Sequence, residues 1–87
     1  MASYEIEIEP KVQREIGRIP PPDINRIRDR IDALADDPRP AGVEKLTDVG
    51  GYRIRQGTYR IVYTIDDGAH VVTITRVGPR GDVYRKR

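Results

Sequence analysis

The stretch Tyr52-Arg53-Ile54-Arg55-Gln56-Gly57-Thr58-Tyr59-Arg60-Ile61-Val62-Tyr63 decides the fold. It alternates strictly on either side of Gly57-Thr58, which is the pattern of two half-buried strands joined by a two-residue turn. Glycine at the first turn position suits a type II′ turn, whose backbone twist matches that of the flanking strands. Gln56 then opposes Tyr59, Arg55 opposes Arg60, Ile54 opposes Ile61, Arg53 opposes Val62 and Tyr52 opposes Tyr63. In that register Tyr52, Ile54, Tyr59, Ile61, Tyr63 and Ile65 share one face. A slip of one residue would mix apolar and charged side chains, so burial of the apolar face selects this pairing.

The other face gathers Arg53, Arg55 and Arg60. Like charges on directly opposed positions destabilise a sheet, and a hairpin that accepts three arginines together has an anion to hold there. The alternative is that the long stems simply splay their charged heads into water. On the favoured reading the arginine face is exposed, with the apolar face turned to the rest of the chain.

Outward from the hairpin, His70 to Val77 continues as a further strand after the turn Asp66-Asp67-Gly68-Ala69, and Gly78-Pro79-Arg80-Gly81 breaks the pattern. Upstream, Ser3 to Glu9 alternates Tyr4, Ile6 and Ile8 with Glu5, Glu7 and Glu9, which predicts an N-terminal strand. Pro10 suits a first helical turn, where a missing N–H costs nothing. Val12, Ile16 and Ile19 give a short amphipathic helix that stops at Pro20-Pro21-Pro22. Asp23 caps or opens a second helix with Ile24, Ile27, Ile31 and Leu34 on one side, ended by Pro38 and Pro40. Residues 41–50 read as a linker, and Asp82 to Arg87 as a short basic tail. The sum is a single domain over residues 1–87. It is an α+β fold of N-terminal strand, helical hairpin and antiparallel three-stranded meander, with the helices on one face of the sheet.

Charge is unevenly placed along the 87 residues. Residues 1–50 hold eight Lys/Arg against eleven Asp/Glu, whereas residues 51–87 hold eight against three, and thirteen of the sixteen basic residues are arginine. Arginine presents a planar fork of donors matched to phosphate, so the basic half points to a phosphate-bearing partner. The C-terminal end adds Arg76, Arg80 and Arg85 with Tyr84, and an aromatic among arginines suits stacking of an unpaired base, against the commoner fate of packing on the helices. With no cysteine there is no thiol nucleophile, disulfide or thiolate metal site. His70 is the single histidine and is expected to be structural or exposed, so no metal site and no cofactor are expected. The N-terminus lacks a basic segment followed by an apolar run, and no apolar stretch approaches the ~20 residues of a membrane span. A soluble, cytoplasmic protein is expected, with no membrane contact.

These residues resemble the RelE toxins of the RelE/ParE superfamily. The resemblance rests on Tyr52-Arg-Ile-Arg, the turn, Tyr59-Arg-Ile-Val-Tyr63, then Arg76-Val-Gly-Pro-Arg80 and Val83-Tyr84, and it extends over nearly the whole chain. It implies a toxin of a type II toxin–antitoxin system that cleaves mRNA in the ribosomal A site without a metal. The ribose 2′-hydroxyl would attack its own 3′ phosphate, leaving a cyclic phosphate and a 5′-hydroxyl. Arg53 and Arg55 would then be the paired basic positions of the site and Arg60 the brace of the scissile phosphate. Arg80 would stand near the leaving group, and Tyr84 would orient or stack on the substrate. The implied partners are the ribosome, mRNA and a cognate antitoxin, a small acidic DNA-binding protein that covers apolar surface and masks the basic half. Relatives often carry lysine at the paired basic positions and histidine or lysine where Pro79 stands. Arginine keeps its charge at any accessible pH, so this site would work by electrostatic stabilisation. Two alternatives share the fold or its charge: a ParE-like inhibitor of DNA gyrase that cuts nothing, and an RNA-binding relative with weakened chemistry.

Overall fold

A computed structural model of the protein describes residues 3–47 and 50–79. In chain order the elements are β1 (Glu5–Ile8), α1 (Pro10–Gly17), α2 (Asp23–Ala33), β2 (Glu44–Lys45), β3 (Tyr52–Gln56), β4 (Tyr59–Asp66) and β5 (Val71–Pro79). The strands form one sheet in the order β1-β5-β4-β3-β2, with β1 parallel to β5 and every other pairing antiparallel. The fold is α+β, as the hydrophobic periods require.

The β3–β4 register is the one demanded by alternation, from Tyr52↔Tyr63 to Gln56↔Tyr59. Gly57 has φ +64°, and Thr58 is not among the positive-φ residues, which agrees with a type II′ turn. Ile54 and Ile61 are buried on one face and pack with Val12, Ile16, Ile19, Ile27, Ile31 and Leu34 of the helical layer. Complete burial of such a side chain contributes about 1.5–3 kcal/mol, so a slipped register would forfeit several such contributions at once. Tyr63 is fully buried, and its hydroxyl donates to the carbonyl of Pro38 at 2.7 Å, tying the end of the helical hairpin to the central strand. Gly51 precedes β3 at φ +91°, and a Cβ there would sit 2.6 Å from the backbone oxygen of Tyr63, so only glycine fits.

Three sequence expectations are corrected. Residues 41–50 are not all linker: Glu44 and Lys45 pair with Arg53 and Tyr52 as β2, a strand too short to show a period. Among the described residues the meander therefore has four strands rather than three. Gly78-Pro79 does not end the last strand, because Gly78 pairs with Arg60 and Pro79 with Tyr59. Proline is tolerated at such a strand terminus, where a ladder N–H need not be supplied. Asp23, expected to cap or open the second helix, opens it as the first residue of α2, while Pro22 holds the N-cap position without a side-chain hydrogen bond. An acidic residue in the first turn still favours the positive end of the helix dipole.

Candidate nucleic-acid interface

The hairpin delivers Arg53, Arg55 and Arg60 to the sheet face away from the helices, with Arg55 directly across from Arg60 and Arg53 across from Val62. The uniformly exposed arginine face expected from sequence is not what forms. Arg55 is exposed, Arg53 is half-buried, and Arg60 is buried at 6% relative exposure. Strand position explains the gradient. Arg60 lies on β4, which has a neighbour on each side, whereas Arg55 lies on β3 beyond the reach of the two-residue β2. Val62, on the same face, is buried at 7%, as expected beneath arginine stems whose methylenes cover apolar surface.

Sequence reading missed Glu44. On β2 it stands opposite Arg53, and its Oε1 accepts from the Nε of Arg53, with the Nη2 of the same guanidinium also in contact. Arg53 lowers the Glu44 carboxyl below the usual range through this hydrogen bond, and the charges of Arg53, Arg55 and Arg60 push in the same direction. The face is therefore three guanidinium groups around one ionised carboxylate. No local signal could have found Glu44, because its role depends on β2 forming. A carboxylate held this acidic is a weak proton acceptor; what it does well is orient the Nε–Nη2 edge of Arg53.

A second polar cluster lies at the opposite end of the sheet. Arg39 holds Asp67 in a two-pronged pair at 3.2 and 2.9 Å, and the Tyr4 hydroxyl donates to Asp67 at 2.7 Å. The guanidinium also lies 5.3 Å over the Tyr52 ring, a cation–π distance. Donation from Arg39 and Tyr4 holds the Asp67 carboxyl down at about 2. His70 is exposed in the turn before β5, at φ +59°, with its ring 4.9 Å from that of Tyr4. It stands at the Tyr4–Asp67 end, away from the Gly57 turn beside which Arg55 and Arg60 pair. Arg80 and Tyr84, the remaining expected site residues, lie outside the described residues, as does Arg85.

The whole-chain comparisons agree with this architecture. The toxin RelG of Mycobacterium tuberculosis is 29% identical over 85 residues, which is 95% of this chain and 98% of that protein. The crystal structure of the toxin–antitoxin complex RelBE2 from M. tuberculosis contains a chain that superposes with a TM-score of 0.81 at 28% identity, covering 94% of this chain and 97% of that one. A chain of the archaeal RelE–RelB complex from Pyrococcus horikoshii superposes with a TM-score of 0.79 at 26% identity, covering 92% and 98%. The family model described as the ParE toxin of a type II toxin–antitoxin system, parDE, matches residues 6–84. The chain thus belongs to the ParE toxin family, within the RelE/ParE superfamily of type II toxins.

Proposed function

We propose that this type II toxin is a metal-independent endoribonuclease that cleaves mRNA in the ribosomal A site and so stops translation. The observation that carries the reading is the meeting of Arg53, Arg55 and Arg60 on adjacent positions of one sheet face. Such a constellation matches a scissile phosphate whose charge grows in the transition state, where oriented cationic donors act most strongly. In the reaction the 2′-oxygen bonds to the neighbouring phosphorus as the bond from phosphorus to the 5′-oxygen breaks. The 2′-hydroxyl proton departs and the 5′-oxygen gains one. Arg60 braces the phosphate, Arg53 and Arg55 neutralise the oxygens, and Arg80 and Tyr84 complete the site at the leaving group and the base. Guanidinium groups cannot accept the proton, so it passes to the RNA, the ribosome or the tail.

The toxin works in the cytoplasm and is held silent by a cognate antitoxin of acidic character. Two observations support that partner: relatives of similar fold were solved as toxin–antitoxin complexes, and the basic second half of the chain offers a complementary charge.

Primer extension on mRNA from cells expressing the chain tests the reading; new 5′ ends inside translated codons, lost in Arg60→Ala, are expected. The matching family is described as a ParE toxin, which supports a second reading, that of a ParE-like inhibitor of DNA gyrase that cuts nothing. Growth arrest by Arg60→Ala with loss of gyrase supercoiling and intact mRNA would establish that reading and sink the first.

A further inference from the structure

β1 covers the outer edge of β5 only as far as Ile74, where Ile8 is the last paired residue and the Glu9 N–H donates to the Ile74 carbonyl at 3.3 Å. Beyond that point α1 runs alongside β5, and a side chain replaces the missing strand. Glu15 Oε1 accepts the backbone N–H of Val77 at 2.8 Å. Its other oxygen lies 3.2 Å from Arg76 Nε, an ion pair whose angle falls short of a hydrogen bond. Val77 is 2% exposed, so without Glu15 its N–H would have only water in the adjoining cavity as acceptor.

The place of this contact gives it meaning. The β4–β5 ladder shifts register at Val62/Tyr63, where β5 passes from Ile74 to Arg76. Such irregularities bend a strand and re-aim its side chains. Arg76 and Val77 are the first paired residues after the shift, and the next, Gly78, lies directly across from Arg60. One carboxylate therefore holds the two residues between the bulge and the strand segment against which Arg60 lies. We propose that Glu15 is a positioning residue: through Arg76 and Val77 it fixes the end of β5, and with it the placement of Arg60 for the phosphate. The inference rests on the nuclease reading, and nothing in the alternation of α1 signals it, since Glu15 occupies an ordinary polar position of that helix.

Glu15→Ala should still fold, because a cavity of about 360 Å³ opens beside Glu15, Arg18, Tyr59, Arg76 and Gly78, and water can reach the Val77 N–H. Glu15→Gln keeps an oxygen acceptor for that N–H. The test pairs two readouts on the intact chain: single-turnover cleavage on ribosomes carrying mRNA, and amide hydrogen exchange at Val77 and Gly78. Glu15→Ala should slow cleavage at saturating toxin tenfold or more, leave the half-saturating concentration within twofold, and speed exchange at both amides at least tenfold. Glu15→Gln should recover cleavage to within threefold and restore protection of Val77. If the alanine variant does not fold, Arg76→Gln replaces it, with a three- to tenfold slower rate expected. Wild-type cleavage by Glu15→Ala, while Arg60→Ala is inactive, overturns the positioning role and leaves the nuclease reading standing. Unchanged amide exchange overturns it also, whatever the cleavage rate. Full cleavage by Arg60→Ala would instead strike the nuclease reading itself, and the positioning role with it.

Discussion

Glu44 and Arg53 face each other across the β2–β3 pair, and the carboxylate takes the Nε–Nη2 edge of the guanidinium. An acidic residue from the acidic half of the chain is thereby set into the basic face. It orients Arg53 and also competes with any phosphate brought there.

Glu44→Gln should consequently bind RNA more tightly and cleave no faster. Loss of one exposed like charge corresponds to roughly a two- to fivefold lower Kd at low salt, shrinking as salt screens it. Because the folded carboxyl titrates below its ordinary range, it is ionised throughout pH 6–8, and the gain should be constant over that interval. A filter-binding series across pH and salt measures this; weaker binding by the glutamine variant would contradict the competing-anion role.

His70 lies at the Tyr4–Asp67 end of the sheet, so the pH profile of cleavage should not depend on it. Single-turnover rates of the wild type and His70→Ala should run parallel from pH 6 to 8. An inflection that vanishes in the variant would place the histidine in the chemistry.

Asp67 links stability to pH. Its folded value of about 2 lies below the ordinary 3.8, so the unfolded chain binds the proton more readily. The stabilisation is fully present above about pH 4 and disappears as pH falls toward 2. Thermal melts should show Asp67→Asn less stable than wild type at pH 7, with the gap closing by pH 2. A gap that stays constant with pH would remove the Arg39–Asp67–Tyr4 cluster as its origin.

Tyr63→Phe keeps the ring in the core but strands the Pro38 carbonyl that its hydroxyl serves at 2.7 Å. A loss of about 1–3 kcal/mol is expected in urea unfolding, the usual cost of a buried polar group left without its partner. A change below half of that range would mean that water replaces the hydroxyl.

Gly51→Ala should cost more than an ordinary surface change. The φ of +91° is unfavourable for alanine, and the new methyl would meet the Tyr63 oxygen at 2.6 Å. Strain of order 1–3 kcal/mol per such residue predicts a clearly lower melting temperature, whereas Gly57→Ala meets no atom within 4 Å and should suffer only the backbone term.

Much of the architecture was legible because it rests on short-range patterns. Alternation about Gly57 specifies the β3–β4 register residue by residue. The spacing of Val12, Ile16 and Ile19, and of Ile24, Ile27 and Ile31, specifies two helices with one apolar side each. The gathering of Arg53, Arg55 and Arg60 follows from that register alone. What no local pattern holds is the identity of each strand's lateral neighbour. Arg60 is buried because β4 is central, Glu44 meets Arg53 because two residues of the 41–50 segment become an edge strand, and Glu15 completes β5 because β1 stops at Ile8. Each of these depends on contacts between residues distant in the chain, whose energy exists only once the sheet has assembled. A periodicity of two or of 3.6 says which way a side chain points, but not what stands there to meet it.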